Sequence, residues 1–218
     1  MCFSATGSFI AAAINVAAGG AALRRTAGTS EGILAALPFT FAAQQAIEGF
    51  LWMDIPNQGG AIGATALGTS FVFIALAIWP AFSPFAAFLL ERDRARRRIL
   101  TALFGLGLGF GLYYAAQILE HPFGARIIGH SISYSNGVPF PLPVALLYCV
   151  CTCLPLLIST QGSLKLLGLC VLTGLVASYA LFFYSFLSVW CFFAALASAL
   201  VFFRAYFEFP RVSSEASA

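Results

Sequence analysis

Nine of the eleven Lys and Arg residues fall in every second gap between long apolar runs. They are Arg24 and Arg25, then Arg92, Arg94, Arg96, Arg97 and Arg98, then Lys165, then Arg204. Arg211 follows in the C-terminal tail, and Arg126 alone lies in an opposite gap. Cationic loops collect on the cytoplasmic side of a bilayer, so this alternation predicts how often the chain crosses and in which direction. The signal is clean because little else is charged. Hydrophobic residues make up 61% of the chain and charged ones 9%, against about 25% charged in soluble domains. The run 91–98, ERDRARRR, then reads as a juxtamembrane cluster beside anionic headgroups. It has no neighbouring soluble domain or aromatic platform that would suit nucleic acid.

A helix needs about 20 apolar residues to cross the hydrocarbon core. The first four candidates are Ser8–Leu23, Gly32–Trp52, Ala61–Phe82 and Ile99–Leu119. Pro80 and Pro84 predict a kink or break at the end of the third, with Phe85–Leu90 as an interfacial extension. The fifth is Leu142–Ser159. The stretch Leu164–Phe203 would make about 60 Å of helix, twice the hydrocarbon thickness, so it folds back as two spans with a turn near Phe186–Ser188. The expected fold is an all-α integral membrane protein of seven transmembrane helices, with the N-terminus outside and the C-terminus cytoplasmic. Residues 1–210 form one domain and residues 211–218 a disordered tail. No positively charged segment precedes the first apolar run, so that run is expected to stay as an anchor. Between helices 4 and 5, Ile127–Tyr134 alternates apolar and polar residues and Ser135–Asn136–Gly137 has turn chemistry. A short hairpin lying over the outer face is the expectation there.

Polar groups inside a membrane are costly and point to function. Gln44, Gln45 and Glu48 share one side of the second span, one turn from its outer end. Tyr113, Gln117 and Glu120 repeat that pattern in the outer half of the fourth. His121 follows directly, and Pro122 biases it out of the helix. With the predicted sidedness, Glu48, Glu120, His121, His130, Cys2 and Cys191 all reach the outer leaflet, and these include both histidines of the chain. Carboxylates, imidazoles and a thiolate suit zinc, copper or iron. Glu48, Glu120, His121, His130 and Cys2 are therefore the candidate metal ligands, with Gln44, Gln45, Gln117 and Tyr113 orienting them. A haem held by both histidines is a weaker fit, because His130 lies in a loop. The competing reading is structural: Glu48 hydrogen-bonds Gln117 or a tyrosine across the bundle, and the histidines are solvated loop residues.

Other features have packing explanations. Gly105, Gly107, Gly109 and Gly111 form two interleaved GxxxG pairs that let helices approach closely. Asn15 suits an interhelical hydrogen bond. Cys149, Cys151 and Cys153, two apart on a helix, point in different directions and read as separate buried thiols. Several seven-helix chemistries are excluded. The single Lys, Lys165, sits at a cytoplasmic helix start, where no retinal Schiff base can form. Two His and no Asp in a span do not match the three-His zinc hydrolases of the ceramidase type. No P-loop, GxSxG or HExxH sequence occurs.

The opening MCFSATGSF, the stretch QQAIEGFLW and the segment GHSISY resemble an uncharacterised bacterial seven-helix membrane protein family whose members begin with MCFS. The motifs fall on Cys2, Gln44, Gln45, Glu48 and His130. The resemblance implies a multi-pass protein of the bacterial inner membrane and supplies no activity. The sequence thus leads to a membrane protein with a polar, metal-binding site at its periplasmic face. Two alternatives stand beside it: a non-catalytic subunit or assembly factor of a larger membrane complex, or a small-solute or ion transporter. The expected partners are the lipid bilayer and either a membrane protein or a second copy, and not nucleic acid.

Overall fold

The computed structural model describes residues 4–27, 29–56, 61–136 and 141–208, and the tail expected at 211–218, with Cys2, lies outside them. Helix α1 spans Ala5–Thr26, started by the Ser4 side chain, which accepts from the Gly7 N–H. A short 3-10 turn, Ser30–Ala35, leads into α2, Ala36–Asp54. Helix α3, Ala61–Val72, passes through a π-helical segment, Phe73–Ile78, into α4, Trp79–Leu90. Then come α5, Arg94–Glu120, the strands β1 (Gly124–Ile128) and β2 (Ser131–Ser135), and α6, Leu142–Thr152, which continues as α7, Leu154–Leu157. The chain ends with α8 (Gly162–Leu181), α9 (Phe186–Ala197) and α10 (Leu200–Phe203). Among the described residues, five stretches are long and apolar enough to cross a membrane: Ala5–Thr26, Gly63–Leu90, Arg94–Glu120, Gly162–Leu181 and Phe183–Phe207. Helix α2 is not among them because Gln44, Gln45 and Glu48 lower its hydropathy. The α6–α7 rod, Leu142–Leu157, is apolar but short.

Three boundaries differ from the sequence reading. Pro80 and Pro84 do not break the third rod, which stays helical to Leu90. The disturbance is taken up before Pro80 by the π segment, where the Trp79 N–H bonds the Ile74 carbonyl, five residues back. Proline 80 has no N–H to continue that register to Ala75. The Tyr148 hydroxyl donates to the Ala75 carbonyl instead, at 2.8 Å. Secondly, the α8–α9 turn comes earlier than expected, at Phe182 and the 3-10 segment Phe183–Ser185. Thirdly, the hairpin turns at Gly129 and His130, with Ile128 paired to Ser131 and Gly124 to Ser135. Gly129 has φ +59°, a conformation glycine adopts without a Cβ penalty. Asn136, expected in a turn, closes the base of the hairpin by donating to the His121 carbonyl at 3.1 Å.

The α4–α5 contact explains half of the glycine ladder. A Cβ on Gly107 would lie 1.8 Å from the Pro80 carbonyl oxygen, and one on Gly111 2.3 Å from that of Ala77. Pro84, lacking an N–H, leaves the Pro80 carbonyl without its helical donor. The bare Gly107 lets α5 cover it. Gly105 and Gly109 face the other way, with nothing within 4 Å of a Cβ built on them. Asn15 does bridge helices, accepting from the Ser198 hydroxyl and donating to the Ala11 carbonyl at 2.9 Å.

The residues of the cationic gaps meet at one end of the bundle. Buried Glu91 accepts from the Arg92 and Asp93 N–H groups at 2.9 and 3.0 Å. It also accepts from the Thr160 N–H and hydroxyl, both at 2.7 Å. Arg96 donates to the Ile158 carbonyl, and Gln161 to that of Leu90 at 3.0 Å. Arg204, read from sequence as a headgroup-facing cation, is 7% exposed and forks onto Glu31, with Nε to Oε2 at 2.8 Å and Nη2 to Oε1 at 2.7 Å. It also donates to Gln161 Oε1 at 2.6 Å and to the Ser163 hydroxyl. A buried bidentate pair of this kind holds only if its remaining donors are satisfied, as these are.

Two outcomes follow for stability. Gly107→Ala should destabilise the protein by about 1–3 kcal/mol through overpacking, while Gly105→Ala should be neutral or slightly stabilising; thermal unfolding in detergent reads both. Burial alone would raise the Glu91 carboxyl, but the bonds from Asp93, Thr160 and Arg92 outweigh it and hold it below the ordinary value of 4.5. A carboxyl lower in the folded than in the unfolded chain stabilises above the unfolded value, and that contribution disappears as pH falls through the folded one. The wild type should therefore lose stability in acid below about pH 4.5, and Glu91→Gln should be less stable at pH 7 with a flatter acid limb.

Candidate functional site

The opposite end of the bundle holds the hairpin. Strand β2 is inserted rather than laid on top: Ser131, Ile132 and Ser133 are all buried. Thr69 on α3 anchors its base, accepting from the Phe123 N–H at 3.0 Å and donating to the Phe123 carbonyl at 3.3 Å. Gly68 makes room for this contact, since a Cβ there would lie 2.9 Å from the Phe123 carbonyl. The Tyr134 ring stacks on Phe71, with centroids 4.5 Å apart and planes 8° from parallel. Its hydroxyl donates to Glu48 Oε1 at 3.1 Å.

Glu48 is completely buried, as are Gln44 and Gln45. Gln45 Nε2 donates to Glu48 Oε2 at 3.3 Å, so both carboxyl oxygens have a neutral donor. The Gln45 carbonyl oxygen has no hydrogen-bond partner among the described residues. The Ser188 hydroxyl, from α9, lies beside the same carboxyl without a well-directed hydrogen bond. Gln44 looks elsewhere. Its Oε1 accepts from Trp79 Nε1 at 2.9 Å, and its Nε2 donates to Cys191 Sγ at 3.6 Å. Trp79 in turn stacks on Phe41 at 4.2 Å. The two glutamines thus divide the work: Gln45 serves the carboxyl, and Gln44 ties α2 to α4 and α9.

Beside this network lies a cavity of about 680 Å³ bounded by α5, α6, the hairpin and the α8–α9 turn. Five tyrosines and four phenylalanines line it, with Gln117, Ser135, Asn136 and Ser185 as the other polar groups. Tyr134 belongs to both the cavity wall and the carboxyl network. Of the expected orienting residues, Gln117 and Tyr113 line this cavity, without a hydrogen bond to Glu48. Glu120, His121 and His130 are exposed: Glu120 ends α5, His121 caps it with φ −130°, and His130 sits at the hairpin turn. Among the described residues, no three His, Cys, Asp or Glu side chains come together as a metal-ligand set. The donors to Glu48 among the described residues are Tyr134, from across the bundle, and Gln45. Cys2, the remaining expected ligand, lies outside the described residues. Tyr134 and the tyrosines of the α8–α9 turn were not singled out in the sequence. The usable signal was the SISY alternation, which sets Ile132 and Tyr134 on one face of β2.

A family model matches residues 1–215. The chain belongs to a family of unknown function, DUF6629. No curated protein and no solved structure matches it. The MCFS opening, QQAIEGFLW and GHSISY thus lie inside the span matched by an uncharacterised family.

Tyr134→Phe should keep the Phe71 stack and remove one donor from a buried carboxyl, lowering stability by about 1–3 kcal/mol in thermal unfolding. Tyr113→Phe, at an exposed hydroxyl, should cost less than about 0.5 kcal/mol.

Proposed function

We propose that this is a seven-helix protein of the bacterial inner membrane that binds a small amphipathic molecule in the cavity beside its hairpin. The N-terminus and hairpin face outside, and the arginine-rich end faces the cytoplasm. The cationic gaps support this sidedness because residues near Arg25, Arg96 and Arg204 bond one another's segments at a single end. Helix α2 and the α6–α7 rod complete the seven crossings. Their polar and short character is tolerated because Glu48 is shielded inside and α6 begins beneath the hairpin.

The binding reading rests on the cavity. Its volume of about 680 Å³ falls in the range of about 300–1,000 Å³ typical of small-molecule sites. Its lining of aromatic rings with a few neutral polar groups is also the composition of such sites. Tyrosine suits this position because each ring offers an apolar face and a hydroxyl that can orient a ligand. A metal-centred reading would need Glu48 to meet the exposed His121 and His130, and their placement favours the cavity as the centre of function.

Solvent extraction of the purified protein, followed by mass spectrometry, tests this. The wild type should carry close to one small molecule per chain. Leu147→Trp, which fills the cavity from its α6 wall, should lose it, and Leu146→Trp on the exposed side of α6 should keep it. The reading fails if the wild type carries no occupant, or if Leu147→Trp retains it equally.

A further inference from the structure

We propose that the molecule this cavity takes is a lipophilic organic cation, with the Glu48 carboxylate as its counter-charge; this rests on the binding reading above. Three observations converge on the sign of the charge. First, among the described residues the cavity wall carries no charged side chain. An anionic ligand would enter without a cation to meet it, at a large desolvation cost. Secondly, the wall is rich in rings, including the buried Phe110 and Tyr114, and ring faces carry the negative lobe of a quadrupole. Such faces attract a desolvated cation, above all a quaternary one that does not need hydrogen bonds.

Thirdly, a buried acid stands directly behind that wall. The Tyr134 ring lines the cavity while its hydroxyl donates to Glu48. Donation to a carboxylate makes the phenol more electron-rich, which strengthens its face toward a cation. The donors that this carboxyl has among the described residues, Tyr134 and Gln45, are neutral. Among the described residues the ion pair is Arg204–Glu31 at the far end, and no cationic side chain lies within ion-pair distance of Glu48. The Gln45 side-chain oxygen, without a partner among the described residues, adds a further acceptor beside it. An excess of acceptors around a buried acid is completed by positive charge.

Two rigid ions of matched shape and opposite charge, tetraphenylphosphonium and tetraphenylborate, test the inference in detergent through quenching of the intrinsic fluorescence. The phosphonium should quench saturably. Glu48→Gln should weaken it about tenfold, and Tyr114→Leu should weaken it as well. The borate should give no saturable quenching. Should Glu48→Gln fail to fold, Tyr134→Phe keeps the ring and severs its link to the acid, and it too should weaken the phosphonium. The inference is overturned if the borate binds as tightly as the phosphonium, or if phosphonium binding ignores these substitutions. A neutral naphthoquinone separates the two readings. If it alone binds, and Leu147→Trp abolishes that binding, the cavity reading stands and the charge inference falls. If none of the three probes binds, both fall.

Discussion

A buried helix must satisfy its backbone polar groups, and the α3–α4 rod cannot do so alone. Pro80 and Pro84, a turn apart, remove two backbone donors from it. The Tyr148 hydroxyl supplies one, at the Ala75 carbonyl. Much of the bundle is then set by where Tyr148 must stand. Its ring packs edge-on against Trp190 at 5.2 Å and tilted against Phe110 at 5.8 Å, so α9 and α5 take their positions from α6. Trp190 closes the arrangement by donating to the Val171 carbonyl on α8 at 2.9 Å. On the other side, the π segment delivers Trp79 to Gln44 and Phe41 on α2. The contacts around this rod thus tie it to five other helices through hydroxyl, indole and ring contacts.

The two ends of the bundle are built on different principles. At the arginine-rich end every loop is fastened by charged or amide side chains to another loop, with Glu91 and Arg204 each collecting several bonds. At the hairpin end the fastening is mainly aromatic: Tyr134 on Phe71 at 4.5 Å, and Tyr179 edge-on to Phe183 at 5.3 Å. The Tyr179–Phe183 pair can slide and part more cheaply than a satisfied ion pair, whereas Tyr134 is also held by its bond to buried Glu48.

Hydropathy made the long apolar helices legible in the sequence, and five of the expected spans are long and apolar enough to cross a membrane among the described residues. It also isolated Glu48 with its glutamines, since an acid in an apolar run has few explanations. What it hid was partnership. Nothing local links Tyr134 to Glu48, 86 residues away, or Arg204 to Glu31, 173 residues away. The hairpin turn was misplaced because Ser135–Asn136–Gly137 has the stronger composition, whereas Gly129–His130 has the geometry that pairs Ile127 with Ile132. The π segment left no trace because hydropathy is blind to hydrogen-bond register. The sequence grouped His121 and His130 with Glu48 by predicted sidedness alone, which does not report that both histidines are exposed while Glu48 is buried.

Arg204 and Glu31 also bear on how the protein is made. Glu31 leaves the ribosome long before its guanidinium partner exists. Until Arg204 arrives, the nascent chain carries an acid without its ion-pair partner. A chain stopped short of position 204 would keep that defect permanently. This end of the bundle can therefore lock only once synthesis is complete, because its central ion pair joins the second helix's leading turn to the last helical segment.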